Sequence, residues 1–293
     1  MEFEERVRYS PIIDRPPFTL PGGARVAVWV IVNVEMWDVK APLPRTLAPA
    51  PGGAAVVPDI PNYTWYDYGL RVGLWRIKGI LDRHGIKGTL SLNGLCCDTH
   101  PRIVEACARA DWEMLAHGWL QRVLHAEKDE REVIRRTIQR IQKFTGQRPR
   151  GWMGPGLQET WQTPDLLAEE GIEYVADYVN DDEPYPLTVK TGSLVALPYT
   201  VELNDIPVHI IQNQGSSGLS DRARAEFDVL YEEGKERAKV MCISMHPYIS
   251  GVAHRAYFLD KLLADLRARP GVVFWRGFEI LDAYQAFSRG VRA

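Results

Sequence analysis

Apolar and polar positions follow two different periods along the chain. Residues 26–34 (VAVWVIVNV) are a near-continuous apolar run with many β-branched side chains, a pattern typical of a strand that is buried on both faces. Further on, Leu70, Leu74, Ile77 and Leu81 recur three or four residues apart, which places them on one face of a helix. This part of the chain therefore predicts a buried strand, a long connection and an amphipathic helix.

The same rhythm of strand and helix continues to the end of the chain. Short apolar segments typical of strands occur at KGTLSLNG, WEMLAHG, RGWMGPG, EYVAD, SLVALPY, VMCISMH and GVVFW. Helical patterns separate several of them, at residues 129–145, 163–170, 220–237 and 256–268. The rhythm predicts an α/β domain with a parallel sheet and outer helices, either a barrel or a doubly wound sheet. No glycine-rich segment has the spacing of a phosphate-binding or dinucleotide-binding loop.

Proline and glycine divide the chain into an arm and one domain. Residues 1–24 are rich in proline and predict an extended N-terminal arm, and residues 25–290 predict a single catalytic domain. Within that domain, residues 40–68 contain many prolines and glycines and predict a long irregular loop. Aromatic residues at the end of this loop favour an ordered lid: Tyr63, Trp65, Tyr66 and Tyr68.

Composition narrows the setting in which the protein works. The 293 residues are 45% hydrophobic and 25% charged, as in an ordinary globular enzyme, and the net charge of −3 comes with no basic tract. We therefore expect a small-molecule substrate, with no nucleic acid or membrane as partner. The acidic first ten residues lack the apolar core of a secretory signal, and the four cysteines do not form a disulfide framework. A reduced, cytoplasmic protein is expected.

Polar and aromatic residues follow nearly every predicted strand. In a parallel α/β fold these positions meet at one edge of the sheet, where active sites form. We therefore assign candidate catalytic roles to Glu35, His117 and His246, which follow the first, third and seventh strands. The candidate substrate-binding residues are Asn33, Trp37, Trp65, Trp119, Pro155, Tyr199, Asn204 and Trp275.

These residue types suit general acid–base catalysis. Burial at the end of an apolar strand is expected to raise the pKa of Glu35, which suits a general base. Either His117 or His246 would donate a proton to the substrate or polarise it. Asn33 and Asn204 would stabilise the oxyanion. The alternatives are a solvated carboxylate at position 35 and a structural core histidine at position 117.

The segment MLAHGWLQRVLH raises the question of a metal. Zinc hydrolases commonly carry a second histidine four residues after the first, one helical turn on. Here that position is Gln121, and the next histidine is His125. Because a catalytic zinc needs three protein ligands, we expect no tightly bound metal and no cofactor. If zinc or another divalent metal is bound, Glu35 and His117 would be ligands together with a third that the sequence does not identify.

Six segments in order carry a resemblance to a known family: VIVNVEMW, HGWLQRVLH, TGQRPRGWMGPG, YVADYVNDDEPY, LPYTVELND and SMHPYISGVAHRA. Over residues 25–285 the chain resembles the polysaccharide deacetylase (NodB-homology) superfamily, and within it the metal-independent allantoinases and cyclic-imide hydrolases. That branch also lacks the second histidine and has a first motif matching Asn33-Val34-Glu35. The resemblance implies a single-domain, distorted (β/α)7 barrel, hydrolysis of C–N amide bonds, and a homo-oligomer (dimer or tetramer).

Three functions stay open from the sequence. The first is hydrolysis of a non-peptide C–N bond in a small amide, cyclic imide or ureide without a tightly bound metal. The second is metal-dependent N-deacetylation of a polysaccharide or peptidoglycan. The third is a non-catalytic barrel that binds a glycan or a small ligand. The segment GWMGPGLQETW lacks the arginines of the allantoinases, which disfavours allantoin itself as the substrate.

Overall fold

The computed structural model describes residues 2–292, and its central strand is the longest apolar run. Strand β1 (Val26–Val34) is buried at all nine positions because both of its edges are paired. On one edge β1 pairs in parallel with β8 (Lys239–Met245). On the other edge it pairs first with β9 (Val272–Phe274) and then with β2 (Thr89–Leu92). A strand enclosed in this way needs apolar side chains on both faces, as the sequence predicts.

The other elements follow in regular alternation. The remaining strands are β3 (Glu113–Ala116), β4 (Gly151–Trp152), β5 (Tyr174–Val175), β6 (Tyr185–Leu187) and β7 (Leu194–Ala196). The helices are α1 (Phe3–Arg6), α2 (Ile60–Tyr68), α3 (Leu74–Arg83), α4 (Cys96–Thr99), α5 (Pro101–Arg109), α6 (Glu130–Thr145), α7 (Thr163–Glu169), α8 (Gly218–Glu233), α9 (Ala253–Arg267) and α10 (Gly277–Arg292). None of these helices is long and apolar enough to cross a bilayer.

The strands form one curved sheet in the order β6-β7-β5-β4-β3-β2-β1-β8, with β9 also paired to β1. Every neighbouring pair is parallel except β6 with β7. Parallel neighbours place their carboxyl ends on the same side of the sheet, so the loops that follow these strands gather at one rim. The predicted parallel α/β architecture is confirmed.

Side chains of β1 alternate between two apolar cores. Those that point outward pack under the helices: Val26, Val28, Val30, Val32 and Val34. Those that point into the curl of the sheet are Ala27, Trp29 and Ile31. The inner core also takes Phe18 and Leu20 from the N-terminal arm and Ile280 and Leu281 from α10. Because the period along a strand is two residues, the next inward positions are 33 and 35.

The segment from 40 to 68 differs in part from its prediction. An irregular loop was expected throughout, but the last nine residues form helix α2. Asp59 caps this helix by accepting the N–H of Asn62 at 3.4 Å, and Pro61 lies in the first turn, where a missing N–H costs nothing. A π-helical turn (Gly69–Gly73) then joins α2 to α3. The proline-rich composition correctly indicates the irregular part before residue 60.

Candidate active site

Glu35 lies directly after β1, on the inner side of the sheet. It continues the inward series of β1 side chains and is only 8% exposed. The next residue, Met36, donates its N–H to Oδ1 of Asn93 at 2.8 Å, which ties this turn to the end of β2. A carboxylate is thereby held at the mouth of the curled sheet.

His117 follows β3 and approaches Glu35 from the side. Its Nδ1 lies 2.6 Å from the carbonyl oxygen of Met153, and because a carbonyl only accepts, Nδ1 carries a hydrogen. Its Nε2 is therefore directed at Glu35, 3.6 Å from Oε1. Gly118 has φ +70°, and a Cβ there would lie 2.8 Å from Cγ of Pro155. Pro155 thus supports the turn that aims the imidazole.

His246 follows β8 and completes the group. Its Nε2 lies 3.4 Å from Oε1 of Glu35, and its Nδ1 lies 2.7 Å from Oδ1 of Asp205. Asp205 also accepts the backbone N–H of His246 and the hydroxyl of Ser250, each at 2.7 Å. The sequence places Asp205 after a predicted strand but carries no signal for its pairing with a residue 41 positions later. The three predicted catalytic residues are brought together, with Asp205 as a fourth member.

Charge coupling sets the protonation of this group. Burial alone would raise the pKa of Glu35, but the His246 charge and the contacts with both histidines hold that pKa below its ordinary value. Burial lowers the pKa of His246, but the charges of Glu35 and Asp205 outweigh it and raise that pKa to about 9. The prediction of a raised pKa for Glu35 is wrong, because the sequence does not show two histidines against the carboxylate. At neutral pH the pair is carboxylate and imidazolium.

Gln121 occupies the position where a second family histidine would stand. Its Nε2 donates to Oε1 of Glu35 at 2.8 Å, and its Oε1 lies 3.4 Å from Nδ2 of Asn93. Its backbone N–H also donates to the carbonyl of Met36 at 3.0 Å. Since a carboxylate only accepts, the amide must turn its N–H toward Glu35. Gln121 therefore orients one oxygen of Glu35 and leaves the other, Oε2, for a water molecule.

The variant Gln121→Leu tests this orientation. Loss of the N–H donor is expected to raise the pKa of Glu35 and to lower kcat/KM by about tenfold, with the larger loss at acidic pH, where more Glu35 is protonated. The measurement is a pH profile of kcat/KM for amide hydrolysis. Gln158→Leu, an exposed glutamine that donates to the carbonyl of Gly156, is the control. Equal profiles for Gln121→Leu and the control would contradict the role of Gln121.

An aromatic cover closes the site above Glu35. We define the cover as Trp37, Trp65, Tyr66 and Tyr248, whose rings contact one another with centroids 4.5–5.1 Å apart. The cavity beneath has a volume of about 10 Å³ and is lined by Asn33, Glu35, Trp37, Tyr66, Gly69, Leu70, Pro247 and Tyr248. That volume suits one water molecule. A ligand larger than water therefore does not fit while α2, which carries Trp65 and Tyr66, holds this position.

Several buried polar atoms at this cavity have no partner. Within residues 2–292 they are Oε2 of Glu35, Nε1 of Trp37, Nε2 of His117 and the hydroxyl of Tyr248. Buried polar atoms without partners are costly, so these atoms are expected to bind water in the free protein and polar groups of a ligand in the complex. Trp37 and Tyr248 offer hydrogen-bond donors, and Glu35 offers an acceptor.

Three predicted substrate-binding residues already use their polar groups inside the protein. Nδ2 of Asn33 donates to Oγ of Ser244 at 2.9 Å and to a carbonyl of β8 at 3.1 Å. Nδ2 of Asn204 donates to the hydroxyl of Tyr199 at 2.6 Å, and its Oδ1 accepts a nearby backbone N–H. The structure does not support the oxyanion role expected of the two asparagines. Asn33 still lines the cavity.

Two predicted tryptophans lie away from the cavity. The Trp119 ring packs under the guanidinium of Arg136 on α6, 3.5 Å from the ring centroid. The backbone N–H of Trp275 donates to the carbonyl of Val28 at 3.1 Å, near the amino end of β1. Since β9 pairs with the start of β1, its carboxyl end does not reach the rim where Glu35 lies. The prediction that Trp275 joins the site is wrong for this reason of register.

Comparisons with known proteins agree with this geometry. The sequence pattern of the family described as polysaccharide deacetylase matches residues 58–175. A candidate polysaccharide deacetylase of Schizosaccharomyces pombe is 30% identical over 304 aligned positions, which cover 94% of each chain. The chain belongs to the polysaccharide deacetylase family. A peptidoglycan deacetylase of Helicobacter pylori is 25% identical, over 73% of this chain and 84% of that protein.

The solved structure of PuuE allantoinase gives the corresponding structural comparison. It superposes with a TM-score of 0.80 at 26% identity, over 93% of this chain and 94% of that one. The predicted single-domain (β/α)7 barrel of the NodB type is confirmed, in the form of an open, curled sheet. As a member of this family, the protein is a hydrolase of C–N amide bonds.

Polysaccharide deacetylases usually use a divalent metal, and the side chains here differ from such a site at position 121. At position 121 the amide turns a hydrogen, and not a lone pair, toward Glu35. Oε1 of Glu35 already accepts this hydrogen. Within residues 2–292, no three His, Cys, Asp or Glu side chains are placed to bind one ion. The donor set therefore departs from a family-type metal centre.

Proposed function

We propose that this protein hydrolyses an amide bond in a small cyclic imide or ureide without a tightly bound metal. The observation that carries the proposal is the buried Glu35 carboxylate between two imidazoles, with one oxygen held by Gln121 and the other free. A carboxylate and an imidazolium in contact supply the base and the acid that amide hydrolysis needs. The similarity to PuuE allantoinase supports a cyclic substrate.

Water attack begins at the free oxygen of Glu35. Oε2 accepts a hydrogen from a water in the cavity, and the water oxygen bonds to the carbonyl carbon of the substrate as its proton passes to Glu35. The oxyanion accepts hydrogen bonds from the free donors of Trp37 and Tyr248, which are typically worth about 3 kcal/mol each in such a role. Donors buried in this way need no reorganisation when charge develops.

Cleavage of the C–N bond uses the proton on His246. Nε2 of the imidazolium protonates the leaving nitrogen, and the amine and the carboxylic acid separate, or remain joined as the opened ring. As His246 loses its charge, the strongest attraction that keeps Glu35 ionised disappears, so Glu35 holds the water proton more readily. The proton on Oε2 of Glu35 then passes to Nε2 of His246 through the water that refills the cavity, which restores both groups; Nε2 lies 3.4 Å from the other oxygen, Oε1. Asp205 keeps the imidazole oriented throughout.

The aromatic cover favours a small, flat substrate over a polymer. The cavity over Glu35 is closed by the side chains of α2 and by Tyr248, whereas a polysaccharide chain needs a groove that is open at both ends. Aromatic rings exclude water and stack on flat rings, which suits cyclic imides and ureides.

The test is hydrolysis of a substrate panel with and without chelator. The panel contains succinimide, dihydrouracil, hydantoin, allantoin and oligomers of N-acetylglucosamine. Ring opening of at least one cyclic amide is expected, at the same rate after treatment with EDTA, because no described side chains form a family-type metal site. Metal content is measured by plasma mass spectrometry on the same samples.

Two results would contradict the proposal. One tight equivalent of zinc per chain, with activity lost on chelation and regained with zinc, would make the protein a metal-dependent N-deacetylase, as the peptidoglycan deacetylase relative suggests. Binding of a panel member with no turnover under any condition would support a non-catalytic barrel.

A further inference from the structure

Arg45 lies beside the aromatic cover with part of its guanidinium unpaired. Its carbonyl oxygen accepts the hydroxyl of Tyr66 at 3.2 Å, and its Nη1 is buried without a partner in residues 2–292. Burial raises the pKa of the Tyr66 and Tyr248 phenols, and the Arg45 charge opposes that rise in both. The guanidinium therefore acts on the two tyrosines that line the cavity over Glu35.

The segment that carries Arg45 is fastened to helix α2. Asn62, which is 1% exposed, accepts the N–H groups of Leu47 at 2.8 Å and Ala48 at 3.0 Å. Its Nδ2 donates back to the carbonyl of Ala48 at 2.9 Å. Tyr66 lies one turn further along the same helix. Arg45 and Tyr66 therefore belong to one unit, and they stay together when α2 moves to admit a substrate.

Arg45 lacks the counter-ion that the most buried arginines have. Arg6 pairs with Asp165 at 3.0 Å, and Arg276 pairs with Glu279 at 2.9 Å. No carboxylate in the described part of the chain forms an ion pair with Arg45. A partly buried guanidinium with a free N–H and no acidic partner is suited to bind an anion, and its planar fork matches a carboxylate.

The charges of Glu35, Asp205 and His246 also favour a cation near an anionic substrate. In direct contact, Glu35 and Asp205 are two carboxylates against one imidazolium, while the charge of Arg255 acts on Asp205 without an ion pair. An anionic substrate would be repelled unless a positive side chain compensates. The carbonyl of Arg45 accepts the hydroxyl of Tyr66, which lines the cavity over Glu35, so Arg45 lies next to this cavity.

We propose that Arg45 binds a carboxylate of the substrate, so that the preferred substrate is a small cyclic amide carrying a carboxylate near the scissile bond. This inference rests on the proposed function and adds the charge of the substrate to it. Trp37 and Tyr248 remain available for the carbonyl oxygens of the ring. When α2 closes, Arg45 contacts the carboxylate of the substrate and the aromatic cover closes the cavity.

The experiment compares matched substrates that differ only in a carboxyl-bearing group. Dihydrouracil is paired with its 6-carboxylate, and hydantoin is paired with hydantoin-5-acetate. The wild-type kcat/KM is expected to favour the carboxylated member of a pair by about 10–100-fold. In Arg45→Gln this ratio falls to about one, mainly because KM for the carboxylated substrate rises. In Arg45→Lys part of the preference remains, because lysine keeps the positive charge but not the planar fork. Arg71→Gln, next to the cover but 77% exposed, keeps the wild-type ratio.

The outcomes separate this inference from the proposed function. Hydrolysis of both members at equal rates, with no change of ratio in Arg45→Gln, overturns the role of Arg45 and leaves the hydrolase proposal standing. If neither pair is hydrolysed, the proposed function fails for these rings. Titration calorimetry of the wild type and Arg45→Gln with the carboxylated ring then measures whether Arg45 binds the carboxylate: equal affinities overturn its role, and weaker binding by the variant supports it. A preference for the carboxylate that Arg45→Gln removes supports the anion site. No such preference overturns it.

Discussion

Replacing Glu35 by Gln is expected to lower kcat/KM by about 10²–10⁴-fold. The neutral amide cannot take a proton from water, and its NH2 group would direct hydrogens toward the cavity in place of an acceptor. The folded state should change little, because the His246 imidazolium stays paired with Asp205 at 2.7 Å and the substitution leaves no buried charge without a partner. The melting temperature is expected to stay within about 5 °C of the wild type. Steady-state kinetics and calorimetric melting check the two parts.

The control for this variant is Glu202→Gln. Glu202 is an exposed acid near the same rim, and it pairs with Arg222 at the surface. We expect wild-type kinetics from it, because exposed ion pairs contribute little and Glu202 does not contact the cavity. If Glu35→Gln keeps more than a few per cent of the wild-type kcat/KM, the assignment of Glu35 as the base is wrong. A large fall in melting temperature would instead show that Glu35 stabilises the fold.

The second large effect is expected from Asp205→Asn. The wild-type kcat/KM should fall at high pH with an apparent pKa of about 9, because His246 must carry a proton to act as the acid. Asp205 is one of the two negative charges that raise this pKa. Its removal lowers the pKa of His246, so the alkaline limb should move down by about one to three pH units. At neutral pH the rate constant should also fall, by about 10²–10⁴-fold, through loss of the acid and of its orientation.

Ser250→Ala separates the charge of Asp205 from its hydrogen bonds. Ser250 donates to Oδ2 of Asp205, and its removal leaves the carboxylate charge in place. The alkaline limb should therefore move only slightly in this variant. An alkaline limb that stays at the wild-type pH in Asp205→Asn would show that another group is the acid, and His117 would be the next candidate.

The pairing of Glu35 and His246 explains how two groups with shifted pKa values can still act as base and acid. In the free enzyme each ion stabilises the other, which makes the carboxylate a weak base and the imidazolium a weak acid. When His246 gives up its proton, Glu35 loses that stabilisation and becomes the better base. The two transfers therefore assist each other, and the net charge of the pair is the same before and after the reaction.

The sequence alone determined the class of fold and the identity of the central residues. Strand and helix periods depend on neighbouring side chains, so the apolar run at 26–34 correctly predicts the buried strand β1. Parallel strands place their carboxyl ends at one rim, and for this reason Glu35, His117 and His246 could be expected to meet. The alternation along β1 also turns position 35 inward.

Several elements were not predicted from the sequence. They are helices α4 and α5 between β2 and β3, the antiparallel strand β6 and the final helix α10. Helix α2 was not predicted because it lies in a proline-rich segment. Pro61 does not prevent the helix, since it lies in the first turn after the cap at Asp59.

Tertiary structure alone decided the chemistry within the site. The pairing of Asp205 with His246, the direction of the Gln121 amide and the position of Trp275 all depend on which strands pair and in what register. The pKa of Glu35 is lowered by two histidines that come from other parts of the chain. The sequence pattern indicates only the burial of Glu35, which by itself would raise this pKa. The periodicity of strands and helices depends on neighbouring residues. The electrostatic coupling of site residues and the register of the strands depend on contacts between distant segments of the chain.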